Sequence, residues 1–377
     1  MRIGINIDQL FYKVAGGTGR YTYNLVKSLA DVDKKNQYLL FHSRSKDKDL
    51  SPADDLTRGA NFELKSLLLP RPLLYFFWNR ARWFSADLLF GKLDLLHAPT
   101  FAIPAKGSSK LVVTVHDLAF MKFPEFYTPR SLKFHERAAR IAAEEADLLI
   151  AVSHSTKQDI VSLLSVNEKR IRVIHEGVQI NTELFDKKEE VLSNYGIAKK
   201  YILCVGTLEP RKNLIRLLKA FAKLKRETGF EHRLVLVGPR GWLFEEILLE
   251  CRRKEFEEDL IMTGPVPDAE LSVLMSQADV FVYPSLYEGF GLPPLEAMAC
   301  GTPVIVSNVS SLPEVVGEAG ILIDPYDVDE MVSAMVDLLE KEDLRTGLAA
   351  KGKERAKLFS WDKAARENLD AYLSVVN

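Results

Sequence analysis

Short apolar runs recur along the whole chain, most of them stopping at a glycine, proline, serine or acid before an amphipathic stretch begins. In the first half they fall at 2–7, 38–42, 93–97, 110–115, 147–152 and 171–175, and the mixed run 62–68 is a further candidate strand. In the second they fall at 201–205, 234–238, 260–263, 278–283, 304–307 and 320–323. Runs this short and this continuously apolar suit strands covered on both faces, and helical periodicity between them makes each a βα unit. Repeated βα units build parallel sheets, and two such series imply an α/β chain of two parallel-sheet domains facing each other across a cleft. A length of 377 residues supports two domains rather than one core. The expected boundaries are 1–178 for the first domain, 179–198 for a charged, irregular linker, and 199–358 for the second domain. A closing helix over 359–377 is expected to pack back toward the first domain.

Composition narrows the function. A net charge of -2 argues against nucleic acid as the main partner. Three separated cysteines, Cys204, Cys251 and Cys300, make neither a disulfide framework nor a metal cluster, which fits a reducing cytoplasm. The N-terminus enters the first apolar run directly, so no secretory leader is expected, and no apolar run reaches spanning length.

The stretch 285–303 carries the clearest chemistry. An apolar run stops at Pro284, a loop with Gly289 and Gly291 follows, and Pro293 and Pro294 open a short helix that stops at Gly301. A helix start reached through glycines offers free N–H groups and a positive dipole end to an anion, with the backbone able to come close. Glu288 and Glu296 frame that site, and each carboxylate can accept two hydroxyl hydrogen bonds. Residues 206–213, G-T-L-E-P-R-K-N, place Arg211 and Lys212 at another helix start, where positive charge opposes the macrodipole unless an anion lies between. In the first domain the loop Ala15-Gly16-Gly17-Thr18-Gly19 leads from a strand into a helix from Arg20, and it lacks the dinucleotide spacing G-x-G-x-x-G. His116 and Asp117 follow the run 110–115, at the strand edge where open α/β sheets bind ligands.

These motifs together resemble the retaining nucleotide-sugar glycosyltransferases of group 1, or family 4, with the two-Rossmann-domain GT-B architecture. The resemblance runs over nearly the whole chain through five marks: Gly16–Gly19, His116-Asp117, G-T-L-E-P-R-K-N, G-P-V-P-D-A-E-L at 264–271, and E-G-F-G-L-P-P-L-E at 288–296. It implies Lys212 and Arg211 as cations on the donor diphosphate, and Gly17 and Thr18 approaching it from the first domain. Gly289, Phe290, Gly291 and Leu292 would line sugar and phosphate, with Glu288 on a sugar hydroxyl and Glu296 on the ribose diol. Val266 and Leu271 would cover the base, and His116 would position the sugar and stabilise the transition state, making His116, Glu288 and Lys212 the catalytic set. Many members carry an arginine where this chain has Thr207, so Arg211 is expected to take over that phosphate contact.

The family's retaining chemistry is attack from the face the leaving group vacates, with a donor phosphate oxygen taking the acceptor proton and no protein nucleophile. The motifs most resemble GDP-mannose-dependent mannosyltransferases, so the expected reaction is hexose transfer from a nucleotide sugar to a lipid-linked glycan acceptor in surface polysaccharide biosynthesis. The aromatic and basic segment 73–84 is the expected peripheral contact with the inner face of the cytoplasmic membrane. No cofactor or divalent metal is expected. The three D-x-D pairs, Asp31/Asp33, Asp47/Asp49 and Asp327/Asp329, have local explanations as a helix end, a charged loop and a helix cap. The alternatives are a nucleotide-sugar epimerase or sugar phosphorylase on the same fold, or a non-catalytic nucleotide-sugar-binding subunit of a membrane polysaccharide assembly complex.

Overall fold

The computed structural model describes residues 1–11, 16–44, 51–57, 59–198 and 200–376. They form two compact units, the first made of Met1–Gly177 and Ser360–Asn377, the second of Val178–Phe359. Among the described residues the first holds a parallel seven-stranded sheet: β1 (Arg2–Asn6), β2 (Gln37–Arg44), β3 (Phe62–Pro70), β4 (Leu95–Ala98), β5 (Lys110–Val115), β6 (Leu148–Ala151) and β7 (Ile171–Val173), in the order β3-β2-β1-β4-β5-β6-β7. The second holds six: β8 (Tyr201–Val205), β9 (Arg233–Val237), β10 (Leu260–Gly264), β11 (Val280–Tyr283), β12 (Val304–Ser307) and β13 (Gly320–Ile323), in the order β10-β9-β8-β11-β12-β13.

Both sheets are parallel throughout, which requires crossovers on their faces and explains why β4, β6, β8, β11 and β12 are buried at every position. The strand order reverses between β1 and β4 in one sheet and between β8 and β11 in the other. At such a reversal the loops leaving neighbouring strands turn to opposite faces and open a crevice at the carboxyl edge.

The helix Gly17–Val32 begins at Gly17 rather than at Arg20, so Gly17 and Thr18 are its first residues and their N–H groups are unpaired by the helix itself. The stretch 179–198, read from sequence as an irregular linker, clusters with the second unit and carries a helix, Lys188–Asn194. The helix Trp361–Val376 lies in the first unit against Gly17–Val32. Its buried stripe is Trp361, Ala364, Ala365, Asn368, Ala371 and Tyr372, and the alanines let the two backbones come close. Tyr372 reaches the sheet from this helix: its hydroxyl is 2.8 Å from His97 Nδ1, and His97 Nε2 is 2.9 Å from Thr114 Oγ1. Burial, with His116 nearby, pushes the His97 imidazole down to about 3, so the ring is neutral and one nitrogen donates while the other accepts.

Candidate active site

In the second unit the functional side chains hang from the carboxyl ends of β8 and β11, the strands on either side of the order reversal. After β8 a single 3-10 turn, Pro210–Lys212, is closed by Asn213, whose backbone is left-handed (φ 58°). The Asn213 side chain donates to the carbonyls of Pro284 (3.0 Å) and Pro325 (2.7 Å), and Leu286 N–H donates to Arg211 O (2.8 Å). These bonds lash the turn to the loop leaving β11. Lys212 Nζ then donates to Glu288 Oε1 (2.6 Å) and to the Tyr283 hydroxyl (2.7 Å), which itself donates to Glu288 Oε1 (2.9 Å). Arg211 donates to Glu288 Oε2 (2.9 Å), to Tyr287 O (2.8 Å) and to Glu209 Oε1 (2.7 Å). The Glu288 backbone is fixed as well, its N–H donating to Ser310 Oγ (2.9 Å) and its carbonyl accepting from Ser311 Oγ (2.9 Å).

Burial alone would raise the Glu288 carboxyl, but Arg211 and Lys212 outweigh it and hold the group at about 2 against an ordinary 4.5. Burial and the Glu288 charge drive Tyr283 well above its ordinary value, so it stays a hydroxyl donor. The sign of the pH dependence follows. A carboxyl lowered by folding stabilises the fold fully above its unfolded value, and that contribution is lost as pH falls through the folded one. Melting temperature should therefore fall between about pH 4.5 and pH 2, and Glu288→Gln, less stable near neutrality, should fall less steeply there. Parallel melting curves from the two proteins across that window would show the idea to be wrong.

Past Glu288 the chain reaches Gly291, whose φ of 115° suits only glycine, and enters the helix Leu292–Cys300, stopped by Gly301 at φ 84°. An added Cβ at Gly291 would lie 2.9 Å from Leu312 Cδ2, a second constraint on that position. Glu296 is the fifth residue of this helix, half-buried. Val266 lies half-buried beyond β10, and Leu271 is buried on the helix Asp268–Gln277.

In the first unit His116 follows β5 and is held at both ring nitrogens. Nε2 is 2.9 Å from the Pro99 carbonyl, which can only accept, so Nε2 carries a hydrogen. Nδ1 is 3.1 Å from Glu176 Oε1. Tyr21, one turn into the helix Gly17–Val32, packs edge-on against the imidazole with 4.7 Å between ring centres. The start of that helix and His116 therefore share one corner of the unit, and among the described residues nothing beyond the chain neighbours and the helix's own backbone lies within 4 Å of where a Cβ would sit on Gly16 or Gly17.

Residues 187–355 match the family described as Glycosyl transferases group 1, and residues 15–182 match Glycosyltransferase Family 4. Over 385 residues the chain is 34% identical to the O-antigen chain mannosyltransferase B of Escherichia coli, with 99% of each chain covered. The chain belongs to the group 1 glycosyltransferases. It is also 34% identical over 249 residues to the MMP alpha-(1->4)-mannosyltransferase of Mycolicibacterium hassiacum, covering 63% of this chain and 56% of that protein. Sucrose-phosphate synthase from Thermosynechococcus elongatus has the same fold, with a TM-score of 0.78 at 22% identity over 99% of this chain and 98% of that one. So does HepE from Anabaena in complex with UDP and glucose, with a TM-score of 0.74 at 20% identity over 99% and 100%. The architecture is GT-B, two Rossmann-like parallel-sheet domains.

For this glycosyltransferase the structure brings Lys212, Arg211 and Glu288 into direct contact, which their 76- and 77-residue separations could not show. Several partners escaped the sequence reading. Tyr283 reads as the last core residue of a strand, and Glu209 lies inside a quoted motif without an assigned partner. Glu176 carried one available signal, an acid beside Gly177 just past the end of β7. Of the D-x-D pairs, Asp33 accepts from the Tyr38 hydroxyl (2.6 Å) and from Asn36, and Asp327 caps the helix Val328–Glu340. Asp47 and Asp49, like Ala15, lie outside the described residues. Among the described residues no helix is long and apolar enough to cross a membrane.

Proposed function

We propose that this glycosyltransferase moves mannose from GDP-mannose to a lipid-linked glycan acceptor in surface polysaccharide assembly, with retention at the anomeric carbon. The observation that carries the reading is the buried Lys212–Glu288–Arg211 cluster at the order reversal, beside the glycine-led start of the helix Leu292–Cys300. Cations beside the positive end of a helix suit a leaving diphosphate, whose charge grows as its bond to the sugar breaks. The names of the mannosyltransferase relatives support the sugar. The acceptor oxygen bonds to the anomeric carbon on the face GDP leaves, a donor phosphate oxygen takes the acceptor proton, and GDP departs. Lys212 and Arg211 neutralise the diphosphate, and Gly289, Phe290, Gly291 and Leu292 lie along sugar and phosphate. Glu288 holds sugar hydroxyls, Glu296 the ribose diol, and Val266 with Leu271 the base. In the first unit Gly17 and Thr18 are assigned to the diphosphate and His116 to the sugar. The segment 73–84 is assigned to peripheral contact with the cytoplasmic face of a membrane.

A panel of GDP-, UDP- and dTDP-sugars tests the donor: GDP-mannose should raise the melting temperature and be hydrolysed slowly, and no shift with any of them would defeat the reading. The two glutamates should separate. Glu296→Gln should weaken GDP-mannose binding about tenfold with kcat nearly kept, whereas Glu288→Gln should mainly lower kcat, since a hydrogen bond to a charged group is worth about 1.5–3 kcal/mol. Equal, mild effects would remove both from donor binding. Because the described D-x-D acids serve a helix end and a helix cap, transfer is also proposed to need no divalent metal. A chelator should leave the rate unchanged, and full loss restored by manganese would contradict this.

A further inference from the structure

On the first unit a groove of about 690 Å³ runs between the π-helical turn Phe77–Ala81 and the helix Pro129–Glu145. Arg82 stabilises its end by pairing with Glu145 and donating to the carbonyls of Trp78 (2.6 Å) and Ile103 (2.8 Å). The remaining charges lining it are Arg80, Lys133, Arg137 and Arg140 against Glu136 and Glu144, an excess of positive charge in a chain whose net charge is -2. Lys133, Arg137 and Arg140 lie at helical spacing on one face of Pro129–Glu145, all three exposed, and among the described residues none of them makes an ion pair.

The groove adjoins an aromatic cluster. Phe77 packs against Phe76 (5.7 Å), Trp83 (6.2 Å) and Phe84 (5.0 Å), and the Arg80 guanidinium lies 5.7 Å from the Phe76 ring centre, joining cluster to groove. Trp83 is 64% exposed and Phe76 46%. Among the described residues of this unit, the exposed large hydrophobics outside 68–88 are Val161 and Leu373 alone, so the apolar surface is concentrated here. Exposed Trp and Phe beside an excess of Arg and Lys is the composition of an element seated at a bilayer interface, rings among the acyl chains and cations on the headgroups. The core of a protein–protein interface is, by contrast, depleted of charge.

We propose that this groove and its aromatic rim dock on a bilayer of anionic phospholipid, with lipid phosphates held by Arg80, Lys133, Arg137 and Arg140. The inference rests on the membrane contact assigned above to 73–84 and adds the helix Pro129–Glu145 as the wall that reads the headgroup. Each cation at an anionic surface increases partitioning about fivefold, so removing two should weaken it roughly 30-fold.

The full-length protein is sedimented with vesicles of phosphatidylcholine alone and of phosphatidylcholine mixed with phosphatidylglycerol. Wild type should sediment with the mixed vesicles and be released by salt. Arg137→Gln/Arg140→Gln, both exposed on their helix, should bind them roughly 30-fold more weakly while GDP-mannose still raises the melting temperature as in wild type. Trp83→Ala should reduce sedimentation too. Sedimentation with neither vesicle overturns both this inference and the membrane contact. Equal sedimentation of the double variant and wild type overturns the groove while leaving the contact through 73–84. Release by inorganic pyrophosphate beyond that of salt at equal ionic strength would make the groove a soluble-phosphate site and overturn the lipid assignment.

Discussion

Lys212→Ala should lower the rate of transfer by a factor of about a hundred to a thousand, with a smaller change in KM, because removing one preorganised charge-stabilising group has an effect of that size. Lys212 is 8% exposed, its ammonium held by Glu288 Oε1 and the Tyr283 hydroxyl. Its position is therefore fixed by the protein's own groups, and on the proposed reaction little reorganisation is needed as charge grows on the leaving diphosphate. Lys212→Arg should fail to rescue. A planar fork cannot replace a compact ammonium between Tyr283 and Glu288, and Arg211 already occupies the second carboxylate oxygen. Single-turnover rates with GDP-mannose measure this directly. Retention of transfer within about tenfold of wild type would remove Lys212 from the chemistry and leave it as the counter-charge of Glu288.

Gly177→Ala should be among the most destabilising single substitutions in the protein. A Cβ there would lie 2.2 Å from the Trp361 nitrogen and 2.5 Å from the Ser360 carbonyl carbon, both backbone atoms that no rotamer change can move aside. Either the helix Trp361–Val376 or the segment carrying Glu176 must shift. We expect a loss of about 3–5 kcal/mol, which lowers the melting temperature by roughly 10 °C for domains of this size. Because Glu176 contacts His116 Nδ1, transfer should fall by more than the loss of folded protein explains. An unchanged melting temperature would mean that the chain does not pass Trp361 so closely.

Much of the fold was legible because parallel strands buried on both faces leave a simple trace. β5, β8, β12 and β13 have the bounds their apolar runs imply, and the remaining strands differ by a few residues at their ends. The helix Lys188–Asn194 was illegible because its charged sequence buries only Val191 and shows no apolar stripe. The segment after β3 was harder still. Its aromatics fit a buried helix or an exposed rim equally well, and the answer is both: Leu74 and Trp78 are buried while Phe76 and Trp83 are exposed. At the site, residue types spoke clearly and pairings did not. Lys212, Glu288 and Arg211 were readable as ligands of an anion and of hydroxyls, yet nothing in a linear sequence says that they pair with one another. Tyr283 was missed because a tyrosine ending a strand looks like core until its hydroxyl finds Glu288 and Lys212.

The second unit begins at Val178 and ends at Phe359, and these residues are joined by a hydrogen bond from Val178 N–H to the Phe359 carbonyl (3.2 Å). It therefore closes on itself like an insert, while the first unit stays open until Trp361–Val376 is added. On a translating ribosome the first unit is begun first, yet the helix that completes it is the last segment made. Residues 178–359 are complete while the nascent first unit still lacks the helix that covers Tyr21 and gives His97 its Tyr372 partner. During that interval the apolar flank of Gly17–Val32 is exposed, and it is where a chaperone would be needed or a truncated product would aggregate.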